Sequence, residues 1–202
     1  MANFRRRYGV VSIVKYLIPC VLAAVSPAFS QAGDCRQPFV ADLAAGGNVS
    51  LTLRAGQIEV VGMRRDGIRV TCDIANRTDA SRVKISFAAG RIRVQGGPDN
   101  GVNYKIEVPE KTGVVIRATA GDMQVRGLVG DKDIELKAGN LTVDVGDPAL
   151  YRVAEGHVMA GNISASPFGS QKDGLFRSFR KDNSSGRYRL RAELLAGNLT
   201  LK

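Results

Sequence analysis

The stretch Ala138-Gly139-Asn140-Leu141-Thr142-Val143 contains the unit from which this 202-residue chain is built. After the glycine, apolar and polar residues alternate with a period of two, which places successive side chains on opposite faces of a β-strand. Glycine adopts turn conformations that strain other residues, and the small alanine before it suits a crowded corner. The unit therefore predicts a tight corner followed by a short strand.

The same unit occurs six times, and such internal repeats decide how the rest of a sequence is interpreted. The other copies begin at Ala55, Ala89, Ala120, Ala160 and Ala196, and the successive glycines are separated by 34, 31, 18, 22 and 36 residues. The separations of 18 and 22 residues suit one coil of a solenoid. The larger ones suit two coils, or one coil with an insertion.

The segments between these units alternate in the same way, with Val, Ile and Leu inward and charged or hydroxyl residues outward. They include residues 48–53, 68–74, 82–87, 104–108, 114–118 and 133–137. No stretch of residues 31–202 has helical apolar spacing over ten or more residues, so the chain is predicted to be all-β. A parallel β-solenoid and an antiparallel β-sandwich both satisfy the alternation. Recurrence of one unit at similar spacing favours the solenoid, in which equivalent positions stack on one another.

The segments LTLRAGQIEVVG (51–62) and LAGNLTLK (195–202), with the AGxIxV units between them, resemble a group of bacterial families. These are the DUF4097-type families of exported β-solenoid proteins, which carry the name adhesin. The resemblance covers residues 48–202 and implies a single-domain right-handed parallel β-helix with an adhesin-like role. No catalytic or ligand-binding residue can be transferred from it, because the shared pattern is structural.

The N-terminal 30 residues have the pattern of a cleaved signal peptide. Arg5–Arg7 and Lys15 are basic, Tyr16–Val25 is an apolar stretch too short to span a bilayer, and small residues end at Ser30. An uncleaved anchor is the alternative. Cleavage would leave a lead-in segment, residues 31–47, and a solenoid domain, residues 48–202, with no transmembrane helix. The mature protein is then expected in the periplasm or at the cell surface.

The overall charge contains little information about partners once this segment is removed. The full chain has 29 Lys and Arg against 19 Asp and Glu, a net charge of +10. Removal of residues 1–30 takes away four basic residues and no acidic ones, which leaves 25 against 19, or +6. A modest positive charge of this size does not by itself indicate a class of ligand.

The cysteines agree with export. Cys20 leaves with the signal peptide, so that Cys35 and Cys72 remain. Two cysteines in an oxidising compartment predict one disulfide that ties the N-terminal segment to the first strands. Two reduced, buried thiols are the alternative.

The sequence contains few groups that could perform catalysis, and the chain is predicted not to be an enzyme and to use no metal or cofactor. His157 is the single histidine, and no Gly-x-Ser-x-Gly motif is present. Acidic residues at outward positions lie on different predicted strands: Glu59, Asp122, Glu135 and Asp144. A carbohydrate-active enzyme, a polysaccharide lyase or hydrolase, is the alternative. Two or more carboxylates within about 10 Å of each other in a groove would favour it.

Residues 166–191 interrupt the repeat with basic and aromatic side chains. A candidate patch for an anionic ligand comprises Arg177, Arg180, Lys181, Arg187, Arg189, Arg191, Phe176 and Phe179. A cap that covers the end of the solenoid is the alternative for this segment. The sequence therefore predicts an exported, non-enzymatic binding or structural module of the bacterial cell envelope. Its expected partners are an envelope glycan, an anionic lipid surface or another envelope protein, but not a nucleic acid.

Overall fold

The computed structural model describes residues 30–98 and 101–202. The predicted signal peptide, with Cys20, lies outside the described residues except for Ser30. The described part consists mainly of strands: β1 (Gln31–Asp34), β2 (Phe39–Ala41), β3 (Asn48–Ala55), β4 (Gln57–Met63), β5 (Ile68–Ile74), β6 (Lys84–Ala88), β7 (Arg91–Gln95), β8 (Val102–Pro109), β9 (Gly113–Arg126), β10 (Lys132–Val143), β11 (Tyr151–Ala165), β12 (Ser170–Asp182) and β13 (Tyr188–Leu201). The remaining regular elements are the helix α1 (Arg77–Arg82) and two 3-10 turns, Pro148–Leu150 and Ser166–Phe168. No helix in this part of the chain is both long enough and apolar enough to cross a bilayer.

Each long strand bends at the glycine of the repeated unit, and the bend divides the sheet into two arms. In β10 the buried residues before the glycine are Lys132, Ile134 and Leu136, and those after it are Leu141 and Val143. The inward positions change from even to odd numbers at the corner, so both halves of the strand contribute to one hydrophobic core. We call one side of the corner arm one. It contains β3, the parts of β9, β10, β11 and β13 before the corner, and the strands β7, β6 and β1 beyond β3. The other side, arm two, contains β4, the parts of those four strands after the corner, and the strands β8, β5 and β2 beyond β4, while β12 pairs with both parts of β11.

The corners of the long strands lie in register. Spatially adjacent corner glycines follow the order Gly56, Gly121, Gly139, Gly197 and Gly161. Their φ angles lie between +119° and +138°, a region that L-residues with side chains rarely adopt. A Cβ on any of the last four would also overlap the carbonyl oxygen of a neighbouring corner glycine. Both facts explain why the repeated unit contains glycine at this position.

One copy of the unit has a different role from the other five. Ala89 and Gly90 form the two-residue turn of the β6–β7 hairpin, in which Ala88 pairs with Arg91. Both turn residues have positive φ, +47° and +74°, as a type I′ hairpin turn requires. Gly90 therefore resembles the other glycines of the unit because all of them have positive φ. It does not occupy a corner of the stacked strands.

The prediction of a right-handed parallel β-helix is not confirmed, because the sheet is mixed and open. Arm one has the spatial order β1-β6-β7-β3-β9-β10-β13-β11-β12, and arm two continues beyond β4 through β8, β5 and β2. The pairs β1–β6, β6–β7, β2–β5, β5–β8 and β11–β12 are antiparallel. The alternative, an antiparallel sandwich, fails in the centre, where β3, β9, β10, β13 and β11 are parallel.

The stacking order also differs from that of consecutive coils, since β13 lies between β10 and β11. Strand β12 runs antiparallel to β11 and returns the chain to the end at which β11 begins. The following loop crosses that end, where Asn183 N donates to Arg152 O and Arg187 N to Leu150 O, each at 2.8 Å. The C-terminal strand then enters the stack on the far side of β11.

The predicted disulfide between Cys35 and Cys72 is confirmed. It joins the turn after β1 to β5, with the two Cα atoms 5.3 Å apart. Strands β1 and β2 pair with strands of different arms, β6 and β5. The bond therefore fixes the N-terminal segment between the two arms.

Candidate functional site

The structure places two arginines of the predicted basic and aromatic patch, Arg180 and Arg191, on either side of Glu155 of β11. Arg180 forms ion pairs with Glu155 at 3.1 Å and Asp182 at 2.9 Å, and these contacts raise the pKa of the guanidinium, chiefly through the hydrogen bond with Asp182. Arg191 binds Glu193 at 2.6 Å. Both guanidinium groups are therefore already neutralised by carboxylates of the protein itself.

The other basic members of the predicted patch lie on the same two strands and the loop between them. Arg177 Nε donates to the carbonyl oxygen of Asp173 at 2.5 Å. Lys181 is exposed and lines a depression beside Phe168. Arg187 and Arg189 are exposed in and just after the loop that crosses the start of β11.

The two phenylalanines of the predicted patch have opposite environments. Phe179 is buried, with 7% of its surface exposed, and stacks on Phe168 with ring centroids 5.8 Å apart. It covers Gly156, where an added Cβ would meet the Phe179 ring. Phe176 is 77% exposed and has φ +52°. The position of Phe179 is the one expected of a cap over the end of the core.

A groove of about 500 Å³ runs along the outward face of arm one and contains two carboxylates. Glu135 and Glu193 are direct partners on β10 and β13, and His157 is the partner of Glu193 on β11. Adjacent strands are about 4.8 Å apart, so two carboxylates on neighbouring strands line one groove, as a carbohydrate-active enzyme would require. Both carboxylates are held by arginines, Glu135 by Arg117 at 3.2 Å and Glu193 by Arg191.

The outward face of arm two, which we call the polar face, has two rows of polar side chains that cross eight strands. The first row is Asp73, Asn103, Gln57, Asp122, Asn140, Asn198, Asn162 and Asp173. The second row is Thr71, Lys105, Glu59, Gln124, Thr142, Thr200, Ser164 and Gln171. All of these residues are exposed or half-buried. The middle of the face consists of uncharged amides and hydroxyls.

Part of the first row is a hydrogen-bonded amide ladder. Asn140 Nδ2 donates to Asp122 Oδ1 at 2.7 Å, Asn198 Nδ2 to Asn140 Oδ1 at 2.8 Å, and Asn162 Nδ2 to Asn198 Oδ1 at 3.1 Å. An asparagine amide has two N–H donors and two acceptor lone pairs. Each inner rung therefore keeps one N–H and one lone pair for a ligand, with the side chain held in a fixed orientation.

The polar face is concave where arm two meets β8 and β5. A depression of about 730 Å³ lies over both rows, from Asp73 and Lys105 on one side to Asn140 and Thr142 on the other. From the sequence, a flat polar sheet face made by outward residues of successive strands is the predicted working surface, but these particular side chains are not predicted as its site. The sequence feature that could have indicated this site is the recurrence of Asn-x-Thr or Asn-x-Ser after three of the corner glycines. Local turn chemistry also explains that recurrence.

One buried polar pair lies away from both faces. Lys132 is 1% exposed, donates from Nζ to Leu128 O at 2.8 Å and to the Tyr151 hydroxyl, and lies 4.8 Å from the centroid of the Tyr151 ring. Burial lowers the pKa of Lys132 to about 8 and raises the pKa of Tyr151. The Tyr151 hydroxyl donates to Val145 O at 3.2 Å, so this pair links β10 to the segment before β11.

Within residues 30–98 and 101–202, no three His, Cys, Asp or Glu side chains converge in a way that could hold a metal ion. His157 is exposed on the outward face of β11. The other acidic residues of the sequence analysis are separated: Asp122 begins the amide ladder, Glu59 binds Arg126 at 2.6 Å, and Asp144 accepts from Gly146 N at 3.0 Å.

No protein-family model and no curated protein matches the chain, so membership of the DUF4097-type families stays a prediction. The fold is similar to that of a crystal structure described as "a putative cell adhesion protein from Clostridium sporogenes ATCC 15579". The TM-score is 0.51 at 10% sequence identity, and the match covers 82% of this chain and 98% of that one. At this level of identity the similarity concerns the fold alone.

Proposed function

We propose that this chain is an exported, non-enzymatic binding module of the cell envelope, adhesin-like in role, that holds a neutral glycan on its polar face. The observation that supports this most is the pair of amide and hydroxyl rows in register across the strands of arm two. Its place of action would be the periplasm or the cell surface.

The chemistry of the polar face matches that of a linear polysaccharide. Sugar hydroxyls both donate and accept hydrogen bonds, as do the side chains of Asn, Gln, Thr and Ser. The rows repeat at the strand spacing of about 4.8 Å, which is comparable to the length of one sugar ring in an extended chain. The ladder bonds among Asp122, Asn140, Asn198 and Asn162 hold the groups in place before a ligand arrives, which reduces the entropy lost on binding.

Two further observations are consistent with an exported binding role. The Cys35–Cys72 disulfide suits an oxidising compartment. The solved structure with a similar fold also carries a cell-adhesion description. Neither identifies a ligand for this chain.

The test is calorimetric titration of the purified protein with neutral β-1,4-linked oligosaccharides, from dimers to octamers. Affinity is expected to rise with length, because a longer chain spans more strands. The variant Thr142→Val/Thr200→Val removes two hydroxyls without changing side-chain shape, and it should weaken binding about tenfold. Thr52→Val/Thr119→Val makes the same change on outward positions of arm one and should leave the affinity as it was. Equal affinity in both variants, or no binding of any oligomer, would refute the proposal.

The Glu135–Glu193 pair supports a second candidate, a carbohydrate-active enzyme that works in the groove of arm one. A glycosidase needs one of its two carboxyl groups protonated to act as general acid. Here each carboxylate is already held in an ion pair with an arginine of the protein, which makes this candidate the weaker one. Release of reducing ends from a polysaccharide by the native protein, abolished by Glu193→Gln, would establish it.

A further inference from the structure

A second surface of arm one concentrates basic side chains on three neighbouring strands. The outward positions of β6, β7 and β3, which we call the cationic strip, are Lys84, Ser86, Ala88, Arg91, Arg93, Gln95, Ser50, Thr52 and Arg54. Four of these nine side chains are basic and none is acidic. The alternating inward residues, among them Ile85, Ile92 and Leu51, are buried, so the strand pattern directs the whole set outward.

Arg91 and Arg93 form the centre of the cationic strip. Both are exposed, and within residues 30–98 and 101–202 neither side chain makes a hydrogen bond or an ion pair. They lie two residues apart on β7, about 6.6 Å along the strand. The type I′ turn at Ala89 and Gly90 starts the strand directly before them. The hairpin thus fixes the backbone from which both arginine side chains extend.

Hydroxyl side chains flank these arginines on the neighbouring strands. Arg93 lies between Thr52 on β3 and Ser86 on β6, and Arg91 lies beside Ser50 on β3. Guanidinium groups bind carboxylates and sulfates through paired N–H bonds, and the serine and threonine hydroxyls can bond sugar hydroxyls. A ligand that carries both acidic groups and hydroxyls therefore fits this surface.

Within residues 30–98 and 101–202, the acidic side chains on the strands beside the cationic strip, including Asp34 opposite Lys84, are already paired with other arginines. Towards β9 and β10, the first carboxylates are those of Asp133 and Glu135, which bind Arg117 at 2.9 Å and 3.2 Å. On the β1 side, Asp34 binds Arg36 at 2.7 Å. Neither group cancels the charge of Arg91 or Arg93.

We infer that the cationic strip is a binding site for an acidic polysaccharide, one whose sugars carry carboxylate or sulfate groups. An anionic lipid surface is the less suitable ligand, because the strip has no large apolar side chain that could enter a bilayer beside the cations. The inference does not depend on the proposed function, since the strip is on arm one and the polar face is on arm two.

The test compares binding of polygalacturonate to three forms of the full protein. The native protein is expected to bind, with an affinity that falls as salt is raised, because exposed charges are screened. Arg91→Gln/Arg93→Gln should lose about tenfold or more in affinity. Arg180→Gln/Arg191→Gln removes the same charge from arginines that already have acidic partners, and it should lose less than about twofold.

Three outcomes would overturn the inference. Equal losses in the two variants would mean that overall charge, and not the cationic strip, determines binding. Absence of salt-dependent binding to polygalacturonate would exclude the site. Binding to phosphatidylglycerol vesicles, lost in Arg91→Gln/Arg93→Gln, without binding to polygalacturonate would assign the strip to a membrane surface. Urea unfolding of each variant confirms that both remain folded, and failure to bind neutral oligosaccharides would affect only the proposed function.

Discussion

Gly139 occupies the corner of β10, between the corner glycines of β9 and β13. Its φ is +128°, and an added Cβ would overlap the carbonyl oxygen of Gly121. The backbones of neighbouring strands thus meet where a side chain would otherwise stand. Glycine recurs at this position of the repeat because neighbouring strands make this same backbone contact.

Gly139→Ala is expected to lower the free energy of unfolding by about 3 kcal/mol or more, because it adds both backbone strain and a steric overlap. Gly146→Ala is the matched control. Gly146 also has positive φ, +68°, but no atom within 4 Å of its added Cβ, so only about 1 kcal/mol should be lost. Urea unfolding of the two variants measures the difference, and equal losses would mean that φ alone requires glycine at the corner.

Lys132 is the largest fully buried side chain of the core, and its amine is surrounded by Leu128 O and the Tyr151 hydroxyl. Burial lowers its pKa from the ordinary 10.5 to about 8. Between these two values the unfolded chain keeps a proton that the folded protein has released. The free energy of unfolding should therefore rise with pH in this window, by at most about 3 kcal/mol.

Lys132→Met should remove this rise while leaving the rest of the core in place. The measurement is urea unfolding of both proteins between about pH 7 and pH 9.5, below the range in which ionisation of Tyr151 would act in the opposite direction. Burial raises the pKa of Tyr151 above its ordinary value of 10.0. Below that value the phenol is protonated in both the folded and the unfolded protein, so it does not change the free energy of unfolding with pH there. A native protein whose stability is flat or falls over this range would contradict the assignment.

At the scale of elements, β12 closes the open end of the stack. Its outer neighbours are absent within the described ranges, since β12 ends the spatial order of the sheet. Lys172 Nζ donates to Ser178 O at 2.6 Å and Arg177 Nε to Asp173 O, so two cations cover carbonyl oxygens of the strand itself. Charged side chains on an edge strand discourage pairing with another chain.

Phe179→Ala should destabilise the protein by about 3 kcal/mol, because it removes a buried ring from the end of the core. Phe176→Ala changes an exposed ring on the same strand and should cost no more than about 0.5 kcal/mol. Thermal or urea unfolding compares the two. Similar effects of both substitutions would mean that β12 does not act as a cap.

At the scale of the whole molecule, β13 lies in the middle of the sheet, between β10 and β11, although it is the last strand of the chain described. Its inward residues Leu190, Leu194 and Leu199 are buried between β10 and β11. In a solenoid whose coils stack in chain order, the last coil can be removed with the others intact. Here its removal would separate β11 and β12 from the rest of the sheet.

Deletion of residues 188–202 should therefore abolish cooperative unfolding, and not merely shorten the protein. Circular dichroism with urea titration of the truncated and full chains tests this. A truncated protein that still unfolds cooperatively, with only a modest shift of midpoint, would favour stacking in chain order and would contradict the observed topology.

Much of the fold could be predicted from residues alone, and the candidate sites much less. Alternation identified ten of the thirteen described strands, all but β1, β2 and β12, and Cys35 and Cys72 were correctly paired. Arg180 and Arg191 looked like parts of one free patch because they are close in sequence, yet the pairing of β12 and β13 with β11 places both beside Glu155, which is distant in the chain. Arg91 and Arg93 were not predicted from the sequence as site residues, because their lack of acidic neighbours depends on which strands flank β7.

The sequence by itself determined the all-β character, the corners and the disulfide, because each follows from local chemistry: the period of alternation, the φ of glycine and the number of cysteines. Only the tertiary structure decided the order of the strands, the hairpin at Ala89–Gly90 and the surfaces that carry free polar or charged groups. Strand order is set by which buried faces meet across long separations in the chain. Whether a surface charge is free depends on the neighbour that this order supplies.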